Sequence, residues 1–418
     1  MTSNVGKVLQ RQHDIVLYGA TGFVGRLTAE HLARHTPDGV RVALAGRNRA
    51  KLEAIRSALP TAAHDWPIVV ADSADQQSLR RMAESARVVI STVGPYAKYG
   101  LPLVGACATA GTDYVDLTGE VLFVRDSIDR FHDEAARTGA RIVHSCGFDS
   151  VPSDLGAFVL SEKVHADDAG ELGDTNLYMA MKGGVSGGTV ASAMIQLDEV
   201  RADERKRKIA LDKFALSPDR GNEPSGEWRD SAAVRYAPDV KSWTGPFVMA
   251  TFNTRIVRRS NALLHHGYGG RFRYRESQRT GGGLRGRLTA YALAGALGLG
   301  FGAMSVRPLR PVVERLMPSP GEGPSEAARD AGHFTATLCT TTTTGAPYRS
   351  VVAAQGDPGY KATAVMLGES ALSLAVSRDE CPLPPGLSGG VLTPATALGT
   401  VLVDRLRAQG FTIEASTT

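Results

Sequence analysis

Short apolar runs recur through the first third of the chain, spaced for alternating strands and helices. Ile15, Val16 and Leu17 form the first run. It lacks the polar alternation of a half-exposed strand and so predicts one covered on both faces. Gly19, Gly22 and Gly25 follow, and then residues 26–35, where Leu27 and Leu32 with small alanines suit one helical face. Runs at 40–45, 66–71, 86–90, 114–117 and 141–146 each predict a further strand, and 101–110 predicts a helix stopped by Gly111. Strands and helices in alternation predict an α/β unit with a parallel sheet.

Later segments read differently. Residues 176–182 alternate like a strand, so Tyr178 and Lys182 stand ~13 Å apart rather than one helical turn apart. Their YxxxK spacing is therefore a decoy. In GGVSGGT, Thr189 is placed to cap a helix from Val190. Residues 218–246 are polar and irregular and predict a long loop or lid. Residues 332–340, a turn at Gly345-Ala346-Pro347 and residues 348–354 predict an antiparallel hairpin. Residues 393–409 predict a returning helix with Pro394 in its first turn. The fold expected is α/β: an N-terminal Rossmann-type parallel sheet (1–150), a second α+β domain with antiparallel strands (151–385), and a C-terminal helix packing back on the first domain (386–418).

The uncharged segment 288–306 lies between Arg287 and Arg307 and would reach about 29 Å as a helix. Gly and Ala supply nearly half of it, a poor composition for a membrane span. A buried helix or a membrane-grazing hairpin is the expectation. Arg255, Arg258, Arg259, Arg271, Arg273, Arg275, Arg279, Arg285 and Arg287 make one basic stretch. It reads either as a solvated strand face or as a docking surface for an acidic carrier domain or anionic lipid headgroups.

Composition narrows the function classes. The 418 residues carry a formal charge of only +4, too little to suggest nucleic-acid binding. The excess of Arg over Lys reflects compositional bias more than a binding signal. Four scattered cysteines show no CxxC pair and no metal-ligand spacing, so free thiols and no metal are expected. The first residues lack a secretory apolar run, which makes the cytoplasm the default location.

The chemistry gathers at the strand ends. Gly19 permits a tight turn, Gly22 a close backbone approach to a pyrophosphate, and Gly25 close helix–strand packing. An NAD site would place Asp or Glu after the second strand; here stand Arg47 and Asn48, and a guanidinium there suits the 2′-phosphate of NADPH. The cofactor is expected against Gly19, Thr21, Gly22, Phe23, Val24 and Gly25, against Arg47, Asn48 and Asp72, and against Thr92, Val93, Gly94 and Pro95. Tyr96, with Lys98 and Tyr99 behind it, is the candidate proton donor, placed by strand-end position alone; structural packing remains open for each. Asp116 and Glu120, at another strand end, read equally as groups that titrate during chemistry or hold a ribose and as backbone acceptors. Asp149 or Ser150 reads as the cap of a helix starting near Pro152.

STVGPYAKYGLPLVGACATAGTDYVDLTGE (91–120), CGFDSVPSDLG (146–156) and GGVSGGTVAS (183–192) resemble the saccharopine dehydrogenase-like oxidoreductases, in particular their mycobacterial trans-acting enoyl reductase branch. The likeness continues through FNTRIVRRSNAL (252–263), the threonine run 340–344 and GGVLTPATALG (389–399), so it covers nearly the whole chain. The resemblance implies an NADPH enzyme that reduces the α,β double bond of an acyl chain held on a polyketide synthase carrier domain, in envelope-lipid synthesis. It also puts the 183–192 segment near the substrate. A peripheral membrane contact and a homodimer stay open. So do two other readings: a saccharopine-type enzyme acting on a carbon–nitrogen bond, and a non-catalytic NADPH-binding scaffold.

Overall fold

In the computed structural model, which describes residues 11–183, 187–224, 233–305, 308 and 323–418, the chain builds two seven-stranded sheets. The first holds β1 (His13–Tyr18), β2 (Val42–Gly46), β3 (Ile68–Val70), β4 (Ala86–Ser91), β5 (Asp113–Asp116), β6 (Arg141–Val143) and a late strand, Gly390–Leu392. Its order is β3-β2-β1-β4-β5-β6 and then the late strand, and every pairing is parallel. All six residues of β1 are buried. Ile15 and Leu17 join one core and Val16 and Tyr18 the other, as side chains alternating across a doubly covered sheet must.

Helices Gln76–Ser85, Leu101–Ala110 and Val121–Thr138 cover the second of these faces. The first is covered by helix Phe23–His35 and by Thr363–Val376, a helix from far along the chain. Nearly all of Thr363–Val376 is buried, and its Met366, Leu367, Ala371 and Leu372 share a core with Ile15, Leu17, Val88 and Ile90. Inside this layer Glu369 takes His31 Nε2 at 2.8 Å and Arg405 Nε at 2.8 Å, joining three helices through buried charge.

The second sheet comprises β7 (Leu172–Lys182), β8 (Arg235–Ala237), β9 (Ser242–Gly245), β10 (Arg273–Gly281), β11 (His333–Thr342), β12 (Pro347–Gln355) and, after the late strand now termed β13, β14 (Thr412–Thr417). Its order is β14-β12-β11-β7-β10-β9-β8, antiparallel except for β7 with β10. β11 alternates buried and exposed residues, the mark of a sheet packed on one face. Phe334, Ala336 and Leu338 point inward to helix Val151–Ala166. Thus a Rossmann-type parallel sheet and a second, mixed-sheet domain are both present.

Several local expectations change. Part of the supposed lid forms the strands β8 and β9, while residues 225–232 lie outside the described residues. Arg255, Arg258 and Arg259 are not on a strand face but buried in helix Ala250–Leu263. There they donate to backbone carbonyls of Asp212, Lys213, Tyr274, Leu216 and Val391, which satisfies donors that water cannot reach. Burial, aided by Arg125, lowers the Arg259 pKa to about 9. The apolar segment belongs to one continuous helix, Gly283–Ser305, so it is not a hairpin; nor is it buried, since most of its outer positions are exposed. Val306 and Arg307 lie outside the described residues. Among the described residues no helix is long and apolar enough to cross a membrane.

The 187–202 helix starts at Gly187 rather than Val190, and the Thr189 side chain lies outside the described residues. The C-terminal helix is broken at Leu398 into Pro394–Ala397 and Gly399–Ala408, the second opening on Gly399 at φ +46°. Tyr178 and Lys182 do sit on a strand, and the Tyr178 hydroxyl donates to Asp239 at 2.8 Å.

Candidate active site at the carboxyl edge of the parallel sheet

The first sheet runs outward in both directions from β1 and β4, and in such sheets the crevice at the strands' carboxyl ends receives the ligand. The glycine loop fills the β1 end. Gly19 has φ +92°, and a Cβ there would lie 2.5 Å from Thr92 Oγ1 and 2.8 Å from Val93 Cγ2. A Cβ on Gly25 would lie 2.2 Å from the Gly19 carbonyl oxygen. Gly22 differs. A Cβ there would meet the Gly19 oxygen at 3.3 Å and nothing else within 4 Å, so its outer side is open.

Above that space begins helix Phe23–His35, thirteen residues with no acid in the first turn and no side-chain cap. Its first N–H groups, Phe23 and Val24 among them, and its positive end suit a pyrophosphate. Thr21 is exposed beside them. Two cations stand close, with the Arg26 and Arg329 guanidinium carbons 5.6 and 5.4 Å from the Phe23 ring centre.

At the β2 end Arg47 is exposed, with no hydrogen bond or ion pair among the described residues. The Asn48 side chain instead accepts from Lys51 N at 3.0 Å, capping its own helix. Asp72 accepts from Ala74 N at 2.9 Å and remains partly exposed. Burial and the Asp72 charge raise the Tyr18 pKa while Arg47 opposes them, which puts all three around one corner. Thr92 donates from its hydroxyl to Gly19 O at 3.0 Å and from its N–H to Tyr18 O at 3.0 Å. It therefore holds the loop in place. Val93 and Pro95 are partly exposed and Gly94 is exposed. The open space at Gly22, an uncapped positive helix end and an unpaired guanidinium where an acid would bind a bare ribose together fit NADP(H).

Tyr96 turns inward. Its hydroxyl donates to Ser91 O at 2.9 Å and accepts from Leu117 N at 3.4 Å; burial raises its pKa well above the usual phenol value. Only 4% of the residue is exposed, so its proton faces the core rather than the crevice. Lys98 is exposed, its ammonium 5.0 Å from the Tyr99 ring centre. The structure thus brings Lys98 and Tyr99 together at the rim and commits Tyr96 beneath them.

The carboxylates beside Tyr96 divide into two kinds. Glu120 accepts from Tyr96 N at 2.9 Å, Ala97 N at 2.7 Å and Ser192 Oγ at 2.6 Å. Asp116 accepts from Thr118 N and Ser145 N, each at 3.0 Å, and meets His144 Nδ1 at 2.7 Å; His144 Nε2 meets Ser127 Oγ at 2.8 Å. Both serve as backbone acceptors. Asp149 stands apart. It sits deep among protein atoms yet stays partly open, and a Cβ on Gly119 would lie 3.9 Å from its Oδ1 and 3.2 Å from Met249 Cε. Burial first, and the Asp116 charge second, push its pKa up to about 7.

Asp149 is not the cap of helix Val151–Ala166. Ser150 takes the capping position, but no side-chain cap bond forms, because the Ser150 hydroxyl reaches Asn253 Oδ1 at 3.2 Å. In the sequence a carboxylate just before a helix reads as a cap, and only the fold shows the buried surroundings of Asp149. Ser192 was likewise invisible, as its partner Glu120 lies 72 residues away.

Comparison with known proteins agrees with this geometry. Residues 15–143 match the family described as the saccharopine dehydrogenase NADP binding domain. The chain is 47% identical to a trans-acting enoyl reductase of Mycobacterium tuberculosis over 412 residues, covering 96% of this chain and 97% of that protein. It is 46% identical to a trans-acting enoyl reductase of Mycobacterium ulcerans over 418 residues, covering 97% and 98%. Among solved structures, apo saccharopine dehydrogenase (L-Glu forming) from Saccharomyces cerevisiae aligns over 97% of this chain and all of that one, with a TM-score of 0.55 at 12% identity. That last likeness is one of fold alone. The protein belongs to the saccharopine dehydrogenase-like oxidoreductases, within the family of the mycobacterial trans-acting enoyl reductases.

Proposed function

We propose that this protein is an NADPH-dependent trans-acting enoyl reductase. Its substrate is the α,β-unsaturated acyl thioester of a chain carried by a polyketide synthase, in the making of envelope lipids. The observation that carries the reading is full-length similarity to proteins of that name in a chain whose Gly22 space, helix end and Arg47 fit the phosphorylated dinucleotide. The nicotinamide cofactor supplies a hydride equivalent for the β-carbon.

The chain's own residues do the rest. The glycine loop and Arg47 hold the dinucleotide, with Asp72, Val93, Gly94 and Pro95 along the edge of the same crevice. Asp149 carries the proton destined for the α-carbon, because a carboxyl poised near neutrality both holds and releases a proton readily. Glu120 fixes the Tyr96-Ala97 turn and, through Ser192, the helix from the second domain. Tyr96 underpins this edge, and Lys98 and Tyr99 at the rim meet the thioester or its carrier.

The decisive experiment incubates the purified protein with carrier-bound enoyl chains and NADPH deuterated at C4. Deuterium at the β-carbon of a saturated product supports the proposal; no reduction of any enoyl chain overturns it. Turnover of saccharopine in the same assay would redirect the assignment to carbon–nitrogen chemistry.

A further inference from the structure

Helix Gly283–Ser305 is apolar on two sides, although only one of them is covered. Ala290 is fully buried, and the helix lies on β9, where a Cβ on Gly245 would stand 3.2 Å from Ala290 O and 3.4 Å from Leu293 Cδ2. The opposite side carries Leu284 (70% exposed), Leu288 (60%), Tyr291 (53%) and Leu299 (77%). At 100° per residue these four fall within an arc of about 80°, so they form one stripe along the helix. A surface helix normally turns polar residues outward; a continuous outward apolar stripe marks an interaction face.

The chemistry beside the stripe indicates its partner. The helix contains no acidic residue, and its only charges, Arg285 and Arg287, flank the stripe on either side in the first turns. The Arg287 guanidinium lies 5.3 Å from the Trp243 ring centre and 6.0 Å from that of Tyr291, while Tyr236, 49% exposed, meets Trp243 edge-on at 5.9 Å. Arginines beside amphipathic Trp and Tyr rings, bordering an apolar helical stripe, are the composition of a helix lying in a membrane–water interface. A second copy of the same helix would bring arginines and no acid to meet them. Anionic headgroups supply the missing charge.

We infer that helix Gly283–Ser305, with Tyr236 and Trp243, docks the protein on the surface of an anionic lipid bilayer, lying in the interface without crossing it. The inference is independent of the reaction proposed above. Its test is co-sedimentation of the full chain with vesicles of phosphatidylcholine containing phosphatidylglycerol, against phosphatidylcholine alone. The expected result is binding to the anionic vesicles, lowered about tenfold or more by the pair L288E and L299E. Thermal unfolding and cofactor binding should stay unchanged in that variant, and the milder pair L288S and L299S guards against misfolding. The pair R285Q and R287Q should remove the preference for anionic vesicles. Absence of sedimentation with either vesicle, or binding indifferent to the leucine pair, overturns the inference. A concentration-dependent dimer broken by the leucine pair, without vesicle binding, overturns it in favour of a second copy.

Discussion

Ser192 donates to Glu120 at 2.6 Å, from a helix that follows β7 of the second sheet to the loop that follows β5 of the first. The same carboxylate holds two backbone N–H groups of the Tyr96–Tyr99 turn. Burial raises the Glu120 pKa, and these three donors counter it. Ser192→Ala should therefore lower kcat/KM by about tenfold, the scale of one lost hydrogen bond to a charged group. Steady-state rates with a fixed enoyl substrate would check this. Ser192→Thr, which keeps the hydroxyl, should recover most of the loss.

Arg47 should set cofactor choice. Arg47→Ala is expected to raise the KM for NADPH by about tenfold to a hundredfold while leaving that for NADH nearly unchanged, because only the 2′-phosphate loses its charged partner. Equal effects on both nucleotides would place Arg47 away from the 2′-phosphate, and no effect on either would place it outside the site.

The loop glycines should separate binding from folding. Gly22→Ala should leave the loop intact, since the added carbon meets one oxygen at 3.3 Å, yet it would occupy the side proposed for the pyrophosphate. It should weaken NADPH binding with little change in melting temperature. Gly25→Ala drives its carbon to 2.2 Å from the Gly19 oxygen and should lower the melting temperature itself. Calorimetric titration and thermal unfolding distinguish the two.

Asp149 should shape the pH profile. With its carboxyl pushed up to about 7, it is protonated below that pH and loses its proton above it. Activity carried by the acid form should decline as pH rises through about 7. Asp149→Asn should remove that limb and reduce kcat by about a hundredfold or more. An unchanged pH profile in Asp149→Asn would assign the proton elsewhere.

Asp154 supplies a stability counterpart. Fully buried, it accepts from Ser260 Oγ at 2.5 Å and Ala395 N at 2.8 Å, and burial pushes its pKa from 3.8 to about 7. The folded state therefore binds its proton more tightly than the unfolded chain. Its contribution is present below pH 4 and is lost as pH rises through about 7. Asp154→Asn should flatten that decline in denaturant titrations between pH 4 and 7.5.

The parallel sheet was legible because its strands are buried on both faces and so declare themselves as apolar runs between glycine-rich turns. The β11–β12 hairpin was legible from its β-rich composition and the turn at Gly345-Ala346-Pro347. Pattern reading failed where tertiary packing reverses the local signal. Arg255, Arg258 and Arg259 read as solvent-facing because most of the carbonyls that accept their hydrogen bonds are brought from distant segments. An NADP-binding domain was readable from the glycine spacing and from an arginine after the second strand. The acidic groups were not, since Asp116, Glu120 and Asp149 look alike in sequence and are told apart by their burial and by the partners that folding brings to them.

Helix Thr363–Val376 carries a lasting consequence for the dinucleotide domain. Residues 15–143 complete the strands and loops that would grip the nucleotide, but the apolar underside of β1 and β4 is sealed by a segment synthesised more than two hundred residues later. Cut free at that boundary, this amino-terminal third would expose the apolar face that the later helix covers, and aggregation is the expected outcome. Full nucleotide binding is therefore expected of the whole polypeptide rather than of this segment alone.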